Sequence, residues 1–173
     1  VPYPHIILQA RRSFTKAAVG RYADDVRLIA TDASLGVPGL PQSATGPATI
    51  FTGRNAPQFL HRHMSGWPFK RLREFVREDN VYLQLERAGF RPTFANSYTE
   101  EYFQRKTTQR GWMSVSTVAI DSAAAPIRLT RELREGRAVY HDLTRRHLRH
   151  VLHDIPEIAP EEAAEHILGL MAE

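Results

Sequence analysis

The chain has 173 residues, of which 42% are hydrophobic and 24% are charged, and these values are those of one ordinary globular domain. It contains no cysteine, which excludes disulfides and thiolate metal ligands, and its formal net charge of +4 suits an anionic small substrate or nucleic acid. No apolar run approaches the roughly 18 residues of a membrane-spanning helix, and no signal peptide is visible, so we expect a cytoplasmic protein without a membrane partner.

The first part of the chain shows short, weak patterns. The apolar runs 6–8 and 27–31 are typical of short strands, and 13–22 has the composition of a helix that ends near Gly20. A loop rich in glycine and proline follows at 36–42. These patterns predict a mixture of strand and helix before the first clear motif.

That motif is a short helix predicted over 44–52. Ser43 is of the residue type that caps helix N-termini, because its hydroxyl can accept hydrogen bonds from first-turn amides. Pro47 falls in the first turn, where its missing N–H is not needed. Gly53 is typical of the residue that follows a helix in the left-handed conformation. The constrained Pro-Gly-Leu-Pro turn therefore delivers a serine to a helix N-terminus.

The centre of the chain alternates helical and strand-like patterns. Asn55 is expected to cap a helix over 56–63, and Gly66-Trp67-Pro68 interrupts the chain. Further helices are predicted over 69–76, 81–88 and 100–105, and strands over 90–95 and 113–120.

Helices dominate the pattern of the C-terminal part. Thr130 is expected to cap a helix that ends near Arg134, and a strongly basic helix is predicted over 142–153. Because strands alternate with helices along the whole chain, we predict an α/β fold, a mixed sheet flanked by helices, in one segment over 1–173. The last helix is predicted to begin at Pro160, with an apolar face formed by Ala163, Ala164, Ile167, Leu168 and Met171.

Ser43 and Thr45 form the first candidate site. Hydroxyls at a helix N-terminus lie among amides and the positive end of the dipole, where phosphate binds and a metal ion can activate a serine. The alternative is a plain capping serine. The stretch lacks the Gly-Lys-Ser/Thr ending of a P-loop and the Gly-x-Ser-x-Gly pattern of the nucleophile elbow, which excludes those two kinds of site.

Four other groups have both a functional and a structural interpretation. His61-Arg62-His63 could share a metal on a strand, but these side chains diverge next to a helix. Tyr140-His141-Asp142 could contain an acid–base pair, or Asp142 could cap the next helix. The basic run 145–150 could contact nucleic acid or form a solvated face. The stretch 93–103 could line a site or contribute aromatic side chains to the core.

Three separated blocks resemble one enzyme superfamily. They are LGVPGLPQSATGPATIFTGRNAP at 35–57, GFRPTFANSYTEEYF at 89–103, and Gly136 with the RAVYHDLTRR that follows it, which together span 136–146. In this order they are similar to bacterial metalloenzymes of the alkaline-phosphatase superfamily, which are relatives of the cofactor-independent phosphoglycerate mutases. The resemblance runs from about Arg27 to the C-terminus.

The resemblance implies an α/β core with two divalent metal ions, manganese or zinc, and a nucleophile that bridges them and is transiently phosphorylated. The Asn-Ser-Glu-Val-Gly-His motif of the mutases is similar to 42–47 here, which places the nucleophile and bridging ligand at Ser43, with Thr45 as the alternative. Arg54, Asn55 and His63 follow this helix closely and are predicted to contact phosphate or substrate.

The chain also departs from the pattern of the superfamily. The first metal-binding aspartate, commonly in Asp-Gly, and the late aspartate and histidine ligands have no counterpart in this sequence. We therefore expect a fragment that is incomplete at both ends and inactive alone, with the other metal ligands outside the chain. A divergent relative that lacks the metals is the alternative.

The resemblance favours a metal-dependent phosphatase or phosphomutase that acts on a small phosphorylated substrate. A non-catalytic binding module that contacts nucleic acid or an acidic partner through the predicted helix over 142–153 is the second hypothesis. Its binding would weaken steeply with salt. A structural domain without a ligand is the third hypothesis.

Overall fold

The computed structural model describes residues 19–23, 26–108, 113–123 and 125–172, without the side chains of 21–26 and 105–108. The chain divides into two compact units, Val1–Gly36 and Val37–Glu173. The strand expected at 6–8 lies outside the described residues, as does most of the helix expected over 13–22. From Gly20 onward that predicted helix is wrong, because these residues form a strand.

The described part of the first unit is an antiparallel hairpin. Strand β1, Gly20–Ala23, pairs with β2, Val26–Leu28. The strand predicted over 27–31 therefore ends early, and a turn around Asp32 follows it. The Asp32 carboxylate accepts hydrogen bonds from Ser34 Oγ at 2.6 Å and from Gly36 N at 3.0 Å. These hydrogen bonds lower the pKa of Asp32, because they stabilise its charged form.

Helices form the second unit. They are α1 Thr45–Thr52, α2 Ala56–Leu60, α3 Lys70–Glu78, α4 Val81–Arg87, α5 Glu100–Thr108, α6 Val115–Asp121, α7 Thr130–Arg134 and α8 Pro160–Met171, with a 3-10 turn at Leu148–His150. The helices predicted around 44–52, 69–76, 81–88 and 130–134 are confirmed within a few residues.

The predicted α/β core with a mixed sheet is wrong. In the described part of the second unit, strand pairing is limited to two isolated bridges, Asn96 with Val139 and Ser97 with Arg128. The two-stranded hairpin is the sheet found among the described residues. The stretch 90–95, predicted as a strand, is extended or turning chain without a ladder. Short apolar runs do not distinguish a strand from other buried segments without information on a pairing partner.

The stretch 113–120, also predicted as a strand, forms α6 instead. Ser114 caps this helix, because its Oγ accepts a hydrogen bond from Thr117 N at 3.2 Å. Val118 and Ile120 are fully buried, and α6 packs against both α1 and α3. β-Branched residues prefer strands by only about 1 kcal/mol, so burial against two helices outweighs that preference.

The basic segment 142–153, predicted as one helix, is a series of turns. The Asp142 carboxylate accepts hydrogen bonds from His147 N at 2.5 Å and from Leu148 N at 3.2 Å. Arg145 adopts a positive φ of 61°, which a continuous α-helix does not allow. These bonds close a tight loop, and helical geometry is limited to the 3-10 turn.

Several helix ends follow the residues that the sequence predicts, but Thr130, the predicted cap of α7, is its first residue and Leu129 is the N-cap. Asn55 Oδ1 accepts from Gln58 N at 3.0 Å at the start of α2. Gly53 ends α1 with a φ of 67°. Asn80 is a cap that the sequence patterns above do not identify: its side chain is fully buried and accepts from Tyr82 N at 3.0 Å at the start of α4. Pro160 begins α8, as predicted.

One main core holds the second unit together. Leu72 and Val76 of α3 are fully buried in it, together with Val118 and Ile120 of α6. Ala44, at the start of α1, belongs to the same cluster, and Phe94 packs against it. The blocks 35–57 and 89–103, which are far apart in sequence, therefore share one core.

The predicted apolar face of α8 is correct only in part. Ala163 is buried, but Leu168 and Met171 are 64% and 78% exposed. Leu170 is 5% exposed and is the other buried residue of this helix. The helix is therefore rotated relative to the orientation that the sequence pattern predicts.

This orientation is tested by a pair of leucine substitutions. Leu170→Ala is expected to lower the free energy of unfolding by about 2 kcal/mol, because it removes buried methyl groups in the last turn. Leu168→Ala is expected to change it by less than about 0.5 kcal/mol, because that side chain is mostly in water. Urea unfolding followed by circular dichroism measures both values. Equal effects would contradict the observed orientation.

The helices of the described residues are too short or too polar to cross a membrane.

Candidate functional site

The predicted nucleophile Ser43 lies on the surface, immediately before α1. It is not the N-cap that its position predicts, because Ala44 occupies that position and the helix has no side-chain cap. The Ser43 hydroxyl instead accepts a hydrogen bond from Gly66 N at 2.9 Å. Its oxygen is therefore held by a second segment of the chain and not by the helix that follows.

Three further hydrogen bonds join the turn 43–45 to the segment 64–66. Ala44 N and Thr45 N both donate to Met64 O, at 3.0 and 3.2 Å. Met64 N donates to Thr45 Oγ1 at 3.2 Å. Together with the Ser43–Gly66 bond they form what we call the serine clamp. The clamp fixes the backbone that follows Ser43 against the segment that holds its hydroxyl.

The clamp changes the expected chemistry of the helix N-terminus. The amides of Ala44 and Thr45 are used by Met64 O, and Gly46 N donates to Gln42 O at 2.9 Å. Pro47 has no N–H to offer. The start of α1 therefore lacks the open row of amides that would cradle a phosphate. The amide of Ser43 itself donates to no residue that the structure describes.

The two candidate hydroxyls differ in access. Thr45 is fully buried, and its hydroxyl belongs to the serine clamp. Ser43 is exposed. Among the described residues its Oγ has one hydrogen bond, which it accepts from Gly66 N. A nucleophile must reach its substrate, so the arrangement favours Ser43 over Thr45.

The three predicted substrate contacts have structural partners. Arg54 forms an ion pair with Glu78 at 2.8 Å and stacks on the Phe75 ring, with its guanidinium carbon 4.1 Å from the centroid. Asn55 caps α2. His63 Nε2 lies 3.1 Å from Val37 O. None of these three side chains lines the cavities described below, and their contact with a substrate stays a prediction.

A cavity of about 610 Å³ opens next to the segment of the serine clamp. Trp67, which directly follows Gly66 of the clamp, forms one wall of it. A second cavity of about 430 Å³ adjoins the first and shares Thr99, Tyr102, Tyr140 and His141 with it. We call the larger cavity the aromatic pocket; it is lined by Trp67, Thr99, Glu101, Tyr102, Tyr140, His141, His147, Leu148 and Val151.

Backbone pairing brings the walls of the aromatic pocket together. Ser97 N donates to Val139 O at 2.7 Å, and Val139 N donates to Ala95 O at 2.8 Å. This pairing places the start of α5, with Glu101 and Tyr102, beside Tyr140 and His141. The second and third blocks of the resemblance therefore meet at one site, although residues 104–135 separate them in the sequence.

A network of hydroxyls fixes Tyr102 in the pocket wall. Tyr102 OH lies 2.7 Å from Thr117 Oγ1 and accepts a hydrogen bond from Ser114 N at 2.8 Å. Thr117 Oγ1 also donates to Tyr98 OH at 3.0 Å, and the rings of Tyr98 and Tyr102 stack with centroids 4.8 Å apart. Because Thr117 is fully buried, the network is anchored in α6.

Tyr140-His141-Asp142 does not form the acid–base pair that one interpretation suggests. The Asp142 carboxylate accepts from backbone amides, chiefly that of His147, and these hydrogen bonds lower its pKa. Tyr140 and His141 face each other, with ring centroids 4.1 Å apart. Burial, and to a lesser degree the charge of Asp142, raises the pKa of Tyr140, so the phenol is held protonated.

Two of the three arginines of the basic segment are engaged, and Arg146 is exposed. Arg145 is 4% exposed and donates to Leu133 O at 3.3 Å, and Arg149 forms an ion pair with Glu157 at 3.0 Å. The surface that the binding-module hypothesis requires, one basic helix face, is not present in 142–153. No observation on this segment favours nucleic acid as a ligand.

The two-metal site implied by the resemblance does not fit the described residues. They contain no group of three or more histidine, aspartate or glutamate side chains that could hold a metal ion. His61 and His63 diverge, because His61 lies at the left-handed end of α2 and His63 contacts Val37 O. No chemical step is therefore derived through a metal.

Comparisons with models of protein families, with curated proteins and with solved structures gave no match for this chain.

Sequence reasoning found part of this site. The sequence identifies the stretch 93–103 as a candidate site. It identifies Trp67 only as part of a break in the chain, and it does not indicate that Glu101 and Tyr140 line one cavity. The aromatic spacing of Tyr98, Tyr102 and Phe103 was the available signal. Its partners could not be found, because they approach through the pairing of 95–97 with 139.

Proposed function

We propose that this chain carries the serine nucleophile and part of the substrate pocket of a phosphoryl-transfer enzyme of the phosphatase or phosphomutase type. One observation carries the proposal: Gly66 holds the exposed Ser43 hydroxyl, and the next residue, Trp67, forms a wall of the aromatic pocket. A nucleophile and a binding cavity are thus joined by one clamped segment. The resemblance of 35–57, 89–103 and 136–146 supports phosphoryl transfer as the reaction.

In the proposed reaction Ser43 Oγ attacks the phosphorus of a small phosphoester. The Oγ–P bond forms, the P–O bond to the alcohol breaks, and the alcohol leaves with the proton that Ser43 loses. The serine clamp keeps Oγ in one position, which is the contribution of this chain to orientation. Ser43 donates its proton to no described residue, so activation of Ser43 requires groups beyond the described residues.

The aromatic pocket is proposed to hold the alcohol part of the phosphoester. Aromatic rings form several of its walls, and polar groups such as Thr99 are placed among them. We further propose a cytoplasmic setting and a small phosphorylated substrate as the partner.

Phosphorylation of Ser43 tests this function. The purified full-length protein, with any residues that flank this chain, is incubated with manganese and para-nitrophenyl phosphate, quenched in acid and analysed by peptide mass spectrometry, while nitrophenol release is followed by absorbance. We expect phosphoserine at position 43. Ser43→Ala should abolish the modification and lower nitrophenol release at least about 100-fold, because the acceptor oxygen is gone.

Ser65→Ala is the matched control for this test. Ser65 is also an exposed serine and lies in the same clamp segment. It should keep both the modification and the release rate. If Ser43→Ala releases nitrophenol as fast as the unaltered protein, or if the phosphate is found elsewhere, the role proposed for Ser43 is wrong.

A further inference from the structure

The walls of the aromatic pocket combine three large rings with one carboxylate. Trp67, Tyr102 and Tyr140 supply the rings, and Glu101 supplies the carboxylate. Among the described residues, no lysine or arginine lines the cavity. His141 and His147 also line it. The described lining therefore lacks the permanently positive groups that bind an anion and has the rings and the carboxylate that bind a cation.

Glu101 is available to a ligand. Its neighbour Glu100 is engaged, because Glu100 Oε1 accepts a hydrogen bond from Thr130 Oγ1 at 2.5 Å. Glu101 is exposed in the first turn of α5, and none of the ion pairs among the described residues includes it. Its negative charge at the pocket therefore has no described counter-charge.

The rings are held in fixed orientations. Trp67 and Tyr102 are tilted by 47° with centroids 6.3 Å apart, so they form a wedge and not a closed stack. The hydroxyl network fixes Tyr102 from behind through Thr117 and Ser114 N. Tyr140 lines the same cavity. A ligand that enters the wedge therefore meets ring surfaces that need little rearrangement.

We propose that the aromatic pocket binds an alkylammonium group. A methylated ammonium is attracted to aromatic faces by their quadrupoles and to a nearby carboxylate by its charge. The cavity of about 610 Å³ accommodates a trimethylammonium head with room for a short chain. Together with the proposed function, on which this last step rests, alkylammonium binding identifies the substrate class as phosphoesters of amino alcohols.

The alternatives have less support from the same residues. A second phosphate or a carboxylate in this pocket would meet the Glu101 carboxylate, and among the described lining residues its partners would be His141 and His147, with no lysine or arginine. A neutral apolar group would fill the wedge but would leave the Glu101 charge without a role. The ammonium uses both the rings and the carboxylate.

Choline and its neutral isostere 3,3-dimethyl-1-butanol test the proposal. They have the same shape, and a carbon replaces the charged nitrogen in the second. Binding to the full chain is followed by Trp67 fluorescence in a Trp112→Phe background, which leaves one tryptophan. We expect choline to bind at least about 10-fold more tightly than the alcohol, because only choline gains the cation–π and carboxylate attraction.

Three variants assign the effect to the pocket. Glu101→Gln, which keeps the shape but removes the charge, should weaken choline binding about 3-fold to 10-fold and leave binding of the alcohol unchanged. Tyr140→Leu should weaken choline binding to a similar extent, whereas Tyr140→Phe, which keeps the ring, should not. Circular dichroism checks that each variant is folded. Equal binding of choline and the alcohol, or undetectable choline binding to folded protein, would overturn the proposal.

The outcome is separable from that of the phosphorylation test. Ser43→Ala should bind choline as the unaltered chain does, because Ser43 does not line the pocket. Phosphoserine 43 without choline binding would reject the alkylammonium site and leave phosphoryl transfer standing. Choline binding without phosphoserine would reject the role of Ser43 and leave the alkylammonium site standing.

Discussion

Asn80→Ala is expected to lower the free energy of unfolding by about 3 kcal/mol. Asn80 is fully buried between α3 and α4. Its Oδ1 accepts from Tyr82 N at 3.0 Å, and its Nδ2 donates to Val76 O at 2.9 Å and to Ser122 Oγ at 2.8 Å. Alanine leaves a buried amide without its cap, opens a small cavity and removes the link to the end of α6.

Asn55→Ala is the matched control. Asn55 has the same residue type and the same capping role, at the start of α2, but it is only half-buried. Its loss should lower the free energy of unfolding by about 1 kcal/mol, the usual value for an N-cap. Urea unfolding followed by circular dichroism measures both variants. If both substitutions have the same effect, the buried hydrogen bonds of Asn80 Nδ2 contribute nothing to stability.

Thr117→Val is expected to lower the free energy of unfolding by about 2 to 3 kcal/mol and also to weaken ligand binding in the aromatic pocket. Valine has nearly the same shape as threonine, so packing in α6 is kept. Tyr98 OH loses its hydrogen bond of 3.0 Å and Tyr102 OH loses its contact of 2.7 Å. Both phenols are then left with fewer partners in a buried region, and the Tyr102 ring is less well fixed.

Thr117→Ser separates the hydroxyl from the methyl group. Serine keeps the hydroxyl that the two tyrosines contact and should retain choline binding, with a loss of about 1 kcal/mol in stability for the missing methyl. Choline affinity is measured by titration of both variants at a temperature below their unfolding transitions. A purely structural role of Thr117 would leave this affinity unchanged. If folded Thr117→Val binds choline as tightly as Thr117→Ser does, the network does not position Tyr102.

Local sequence signals were sufficient for several helix ends. Asn55, Gly53, Asn80 and Pro160 define boundaries through their own side chains or backbone freedom, so their effects need no knowledge of distant residues. Gly53 ends α1 and Asn80 begins α4 in this way, whereas α3 and α7, which are also confirmed, begin without a side-chain hydrogen bond from the N-cap residue. Gly136, which follows α7 with a φ of 69°, also acts through its own backbone freedom.

The wrong predictions depend on contacts that the sequence pattern does not show, some between distant residues and one within a single loop. The β-branched stretch 113–120 is helical because α1 and α3 cover it. The segment 142–153 forms turns because the Asp142 carboxylate accepts amides five and six residues ahead. The described residues lack the predicted mixed sheet because 113–120 is helical and 90–95 has no ladder partner. Strands need partners, and the sequence pattern does not specify them.

The sequence by itself determined where several helices begin and end and which serine stands before α1. The tertiary structure alone decided how Ser43 is held, because Gly66 and Met64 approach it from another segment. It also decided which aromatic side chains form a pocket, since Trp67, Tyr102 and Tyr140 come from three separate segments. Capping and turn preferences act between neighbours in the chain, whereas a pocket and a clamp need the core to bring distant residues together.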